Sequence, residues 1–216
     1  DKPSNGYPSN DYGEIFMSVF TAAYGLQQRF TDALAPADGI GPLLLRLYLA
    51  PVMLQAGWTK FAAFEDTAAW IGNPDWGLGL PFPVVLTALA AGTELIGGFA
   101  LLIGLAVRWF AIPLIVAMLV AIFAVHWPNG WLAIADCSSW LAGERVLEAC
   151  ERKARAIEIL REHGNYGWLT ARGSITILNN GIEFAVTYLV MLVSLLFTGG
   201  GRYTSLDDWL SRWVRR

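Results

Sequence analysis

Four long apolar blocks dominate this chain, and ionisable side chains sit inside them or at their ends. A bilayer core gives no partner to an unpaired backbone N–H or C=O, so a segment that enters it closes its hydrogen bonds as a helix of about 20 mainly apolar residues. The blocks at 43–63, 84–106, 109–127 and 175–197 meet that length. Charged residues make up 15% of the chain and ten residues are Trp, whereas soluble domains average about 25% charged. The sequence therefore predicts an all-α integral membrane four-helix bundle, with an N-terminal interfacial helix and an amphipathic helix in the third-to-fourth loop. Its parts are a lead and interfacial helix (1–42), three spans (43–127), an extramembrane insertion (128–173), and a fourth span with a basic tail (174–216).

The segments outside the spans have their own patterns. Residues 1–10 are rich in Pro, Ser, Asn and Gly and read as a flexible lead, while 14–34 carries helical spacing of mixed polarity suited to the interface. No basic stretch followed by a small-residue cleavage site is visible, so a cleavable signal peptide is not expected. The chain opens on Asp1 rather than Met, which leaves room for further N-terminal residues. Gly and Pro crowd 65–83 around Trp70 and Trp76, predicting a loop with interfacial aromatics. In 140–163, Leu147, Cys150, Ala154, Ile157 and Leu160 share one face, and Glu148 with Arg152 and Glu151 with Arg155 are spaced as i,i+4 pairs.

Several function classes are excluded. Fifteen basic against eighteen acidic residues give a net charge of -3, leaving no basic surface for nucleic acid. No phosphate-binding loop, dinucleotide turn, nucleophile elbow or zinc-protease helix occurs, and two His with two Cys are too few for most metal frameworks. Neither a metal nor a nucleotide is expected, and the lipid bilayer is the first partner.

An even number of spans places both termini on one side, here the terminal side, opposite the loop side that carries 64–83 and 128–173. Arg212, Arg215 and Arg216 form an unneutralised end, whereas the basic residues of 128–173 alternate with Glu. The asymmetry favours cytoplasmic termini. Cys137 and Cys150 then share a loop in an oxidising compartment, which favours a disulfide; two packed free thiols and a redox-active or metal-binding pair are the alternatives.

Charges at mid-membrane cost about 2.5–3.5 kcal/mol each on insertion scales, so they normally face protein. Arg46, Lys60, Glu94, His126 and Glu183 are the residues concerned. Helical rotation puts Arg46, Met53, Gly57 and Lys60 on one face of the first span, and in the second Glu94 lies in a groove of Ala90, Gly97 and Gly98. In the fourth, Thr176, Asn180, Glu183, Thr187, Ser194 and Thr198 form a polar stripe expected to face inward. Matching depths predicts Arg46 with Glu94, and Lys60 or His126 with Glu183. Each position also has a purely structural alternative: an ion pair for Arg46 and Glu94, snorkelling for Lys60, a carbonyl contact for His126, and Asn179 or Asn180 beside Glu183.

The runs LLLRLYLAPVMLQAGWTKF (43–61), ELIGGFALLIGLAVRW (94–109), IFAVH (122–126), GIEF (181–184) and GGGRYTSLDDW (199–209) occur in this order. In them the chain resembles the DoxX family of small bacterial four-helix membrane proteins. That resemblance implies the inner membrane and a redox role, since relatives include the larger subunit of a thiosulfate:quinone oxidoreductase and others are associated with thiol and oxidative-stress systems. It carries Arg46, Gly57, Lys60, Glu94, Gly98, His126 and Glu183 onto family positions. The longer N-terminus and the insertion at 128–173 depart from the compact pattern and suggest a surface for membrane or periplasmic partner subunits.

Three functions follow as expectations. The first is a quinone-linked oxidoreductase subunit, with His126 or Glu183 handling a proton, Lys60 stabilising negative charge, and Arg46, Gly57, Glu94, Gly98 and Asn180 lining the pocket. The second is a non-catalytic structural or assembly subunit of a larger complex, and the third a small-molecule or ion carrier.

Overall fold

The structure, a computed structural model, describes residues 11–215. The lead at 1–10, the side chains of 11–15 and the last residue of the basic tail lie outside the described residues. In chain order the helices are α1 (Asp11–Leu34), α2 (Ile40–Ala62), α3 (Phe64–Gly72), α4 (Pro83–Ile103), α5 (Val107–Val120), α6 (Glu144–His163), α7 (Tyr166–Leu169), α8 (Glu183–Thr198) and α9 (Leu206–Val214). A π-helical turn, Ala121–His126, and a 3-10 turn, Trp127–Asn129, continue α5. Among the described residues there is no strand beyond one isolated bridge between Ile134 and Leu178.

Three helical stretches are long and apolar enough to cross a membrane: Ile40–Ala62, Pro83–Ile103 and Val107–Asn129. They coincide with the first three expected spans to within a few residues. The fourth differs. Only Glu183–Thr198 is helical, which at 1.5 Å per residue is about 24 Å, short of the roughly 30 Å hydrocarbon core. Residues 175–182 instead run back along 130–135, and the segment's backbone is satisfied there. Ala135 N–H donates to Ile177 O, Asn179 and Asn180 N–H to Ala133 O, Gly181 N–H to Leu132 O, and Ile182 N–H to Gly130 O. A helix through Gly181 would have lost this pairing, and Asn180 takes a left-handed φ of 58° to make it.

Four helices pack pairwise into a closed arrangement: α2 on α4, α4 on α5, α5 on α8 and α8 on α2. The shared core is Leu49, Ala50, Met53, Leu101, Val107, Leu114, Met118, Leu192 and Leu195. Around it the outer perimeter exposes large apolar side chains such as Leu44, Trp58, Ile96, Val116 and Val190. Apolar residues facing outward suit a lipid surround, where burial against protein is not required to keep them from water.

The region read as a loop after the first span contains α3. The chain bends at Ala63 (φ −112°, ψ 49°) and continues along α4, with Ala68 and Ile71 buried and Gly72 reaching Pro83. Glu65 and Asp66 in its first turn complement the helix dipole. In the insertion, α6 begins at Glu144 rather than near Trp140, because 136–142 is taken up by turns. The Glu148–Arg152 pair forms at 2.9 Å, while Arg155 pairs with Glu158 at 2.8 Å rather than with Glu151. Among the described residues α1 packs chiefly on the short turn at Ala35–Ala37 and leaves Phe16, Val19, Phe20 and Phe30 bare.

Cys137 and Cys150 form a disulfide with Cα atoms 6.4 Å apart, tying the loop before α6 to that helix. Alkylating reagent should label neither cysteine until reductant is added. Replacing both with Ser removes a cross-link spanning 13 residues, worth about 3 kcal/mol on loop-entropy grounds. Limited proteolysis should then cut within 131–163 sooner, with the spans unaffected.

Candidate functional site

The contact between α2 and α4 positions the first charges. An added Cβ at Gly57 would lie 2.8 Å from Leu95 N, and one at Gly98 would lie 3.0 Å from Leu54 N. The helices therefore touch backbone to backbone at both glycines, as small-residue contacts in membranes allow. This fixes the antiparallel register: Gly57 lies beside Ala91 and Leu95, and the Arg46 guanidinium beside Gly104. Gly57 and Gly98 are filled by the opposite helix and present no free surface to a ligand.

In that register Lys60, not Arg46, reaches Glu94, with Nζ to Oε2 at 2.6 Å. The Glu94 side chain is 6% accessible and the Lys60 side chain 32%. Glu94 lies about 15 Å along α4 from Gly104 and about 16 Å from Pro83, so the pair is near mid-depth. Lys60 ends α2, but α3 carries the chain onward along α4, so the end of that helix is not the membrane surface. The expected Arg46–Glu94 pair fails because ten residues separate Glu94 from the position facing Arg46, about 15 Å of helix.

Arg46 is instead a fastener on the terminal side. Its guanidinium donates to Gly200 O and, at 3.1 Å, to Thr204 O, and the residue is 1% exposed. Nε alone has no partner. Asp207 is close enough to act as a counter-charge; its carboxylate also accepts from Ala106 N–H at 2.6 Å and Val107 N–H at 3.0 Å, capping α5. Ser205 caps α9 by accepting from Asp208 N–H. The GGGRYTSLDD run thus closes the terminal end of the bundle. Asp207 was missed as a key residue by sequence reasoning, although Ser205 with Asp208 has capping-box spacing.

On the loop side, His126 Nδ1 lies 2.9 Å from Asn180 O. A carbonyl can only accept, so Nδ1 carries the hydrogen and the neutral ring keeps Nε2 as an acceptor. Asn129 Nδ2 donates to the same carbonyl at 3.0 Å. Glu183 does not meet Lys60 or His126: its Oε2 accepts from Ala133 N–H at 2.9 Å. Asn179, buried, donates to Asn129 O and Leu132 O and accepts from Arg145 Nε, locking the returning segment in place. The polar stripe of α8 turns outward, since Thr187 and Thr198 are exposed and bond the carbonyls of Glu183 and Ser194 one turn back.

The residues expected in one pocket therefore occupy three levels: Arg46 at the terminal end, Lys60 with Glu94 in the middle, and His126, Asn180 and Glu183 at the loop end. Beside the third level lies an open cavity of about 500 Å³ lined by Ile134, Cys137, Cys150, Ala154 and Ile157. At its rim the Ser138 hydroxyl and backbone N–H hold the Asp136 carboxyl below the usual carboxylate range. Among the described residues no group of three or more His, Cys, Asp or Glu is placed to hold a metal ion.

The DoxX family model matches residues 41–127. Over those residues, less than half of the chain, the protein is similar to the DoxX family. The match takes in the α2–α4 contact, the Lys60–Glu94 pair and His126, and stops before the disulfide insertion and α8. No curated protein and no solved structure matches the chain. Three apolar helices long enough to span, together with the DoxX match, mark a membrane protein.

Three mutations within the matched residues test this geometry. Gly57→Ala should lower stability by about 1–3 kcal/mol, because backbone rather than a movable side chain blocks the methyl group. Gly92→Ala, with nothing within 4 Å, should leave the detergent melting temperature unchanged or raise it. Glu94→Gln strips Lys60 of its partner and should cost about 1.5–3 kcal/mol in the same measurement.

Proposed function

We propose that this protein is a DoxX-family, quinone-interacting redox subunit of a bacterial inner membrane, with His126 as its proton-handling group. The observation that carries the reading is the His126–Asn180 hydrogen bond, which fixes the tautomer and leaves Nε2 basic at a membrane-boundary position. Exposed Phe123 and Trp127, their ring centroids 5.4 Å apart, flank His126 in sequence and add aromatic surface. A half-exposed imidazole acceptor bordered by aromatics is a donor and stacking set that fits a quinone head group.

A quinone supplies a two-electron, two-proton couple when bound. Nε2 takes up a proton in one direction and, as imidazolium, returns it in the other. Asn180 O bonds Nδ1–H in both charge states and keeps the ring oriented. Glu183 acts as a positioning residue by fixing Ala133, and Lys60 with Glu94 holds α2 and α4 in register. The loop side would face the periplasm, where a disulfide persists, and a membrane or periplasmic partner subunit would exchange electrons there. Cytoplasmic termini accord with the Arg residues of the opposite end.

In the native assembly His126→Ala should reduce quinone-linked turnover by about 10²–10⁴-fold. Quinone affinity, followed by quenching of tryptophan fluorescence, should change much less. Turnover equal to that of an Arg152→Ala control would overturn the assignment.

A non-catalytic assembly subunit is the second reading, favoured by the bare apolar face of α1. Gentle extraction followed by mass measurement would then find stoichiometric partners, whereas a lone chain with full turnover would eliminate this alternative.

A further inference from the structure

The terminal end of the bundle carries a cavity that the redox reading does not use. It measures about 400 Å³ and is lined in part by Arg108, Trp109, Arg202, Asp207 and Asp208, with the glycines at 199–201 as one wall. Its charges do not cancel. Both Asp207 oxygens are taken by the N–H groups that begin α5, and Arg46 supplies its counter-charge from within. Asp208 is paired with Arg212 at 2.8 Å and also accepts from Tyr203 N–H. Arg108 donates only to the neutral Phe197 O, and Arg202 lies over the Tyr203 ring. Among the described residues neither of these arginines forms an ion pair, and both line the cavity.

The surroundings are those of a membrane boundary. The cavity lies where α4 turns into α5 and where α8 ends. Trp109 and Phe197 beside it are 77% and 76% exposed. The α9 helix, anchored there by Asp207, shows Trp209, Leu210, Trp213 and Val214 on one face, all exposed, with Asp208, Ser211 and Arg212 on the other. A helix of that pattern lies in the plane of the interface with its apolar face among acyl chains.

We propose that this cavity is a binding site for an anionic phospholipid, whose phosphate is held by Arg108 and Arg202 while its acyl chains run along Trp109, Phe197 and the apolar face of α9. Planar guanidinium groups suit phosphate oxygens, and two uncompensated positive charges select a net-negative headgroup over a zwitterionic one.

The test places the full-length protein in nanodiscs of equal phosphatidylglycerol and phosphatidylcholine and measures retained lipid by native mass spectrometry. Phosphatidylglycerol should be retained over phosphatidylcholine by about fivefold or more, the scale set by one or two basic residues at an anionic surface. The double variant Arg108→Gln, Arg202→Gln should lose the preference, whereas Arg152→Gln, Arg155→Gln on α6 should keep it. Arg108→Lys, Arg202→Lys, which retains charge, should recover part of it and guards against misfolding of the first variant. Equal retention of both lipids, or loss of preference in the α6 variant, would overturn the proposal. Displacement of the bound lipid by millimolar glycerol phosphate or inorganic phosphate would also overturn it, identifying a soluble phosphate site instead.

Discussion

The backbone contact between α2 and α4 at Gly57 and Gly98 sets the depth of the charges in the first two spans. Once those glycines meet the opposite helix, Lys60 falls within reach of Glu94 and Arg46 is carried to the far end. Inside hydrocarbon a carboxylate and an ammonium are tolerable largely because each has the other. The same register delivers Arg46 to the loop that follows α8, where its guanidinium gathers backbone carbonyls that water cannot serve.

At the loop end the constraint is met by different means. The fourth apolar block gives up its first turns of helix and pairs with the segment after α5, so the irregular backbone is hydrogen-bonded within the protein. Non-helical backbone at membrane depth is tolerated where protein covers it. Asn179 and Glu183 take part in that cover, and the carbonyl of Asn180 emerges at the one place where His126 needs an acceptor. The π turn at Ala121–His126 ends α5 just there, consistent with the frequent occurrence of such turns at functional sites.

Much of this was legible in the sequence, for identifiable reasons. Block length and apolarity gave the first three spans, and helical rotation placed Arg46, Met53 and Gly57 on a buried face. The spacing of Glu148 and Arg152 gave a surface ion pair. The polar stripe of the fourth block misled, because Thr and Ser in a helix can satisfy themselves on the carbonyl one turn back and face outward. The α3 helix was hidden by the Gly and Pro residues that follow it, and α9 by being read as a charged tail although its apolar residues share one face.

What the residues alone determined is the class of object: apolar helices that must cross or border a bilayer, carrying a few charges that must be shielded by protein. Which charges meet was decided by tertiary structure. Rotation about a single helix fixes the face of a side chain, but its partner depends on the register between two helices, and that register rests on backbone contacts at glycines far apart in the chain. The end of the fourth helix was decided in the same way, by pairing between segments about fifty residues apart that no local pattern encodes.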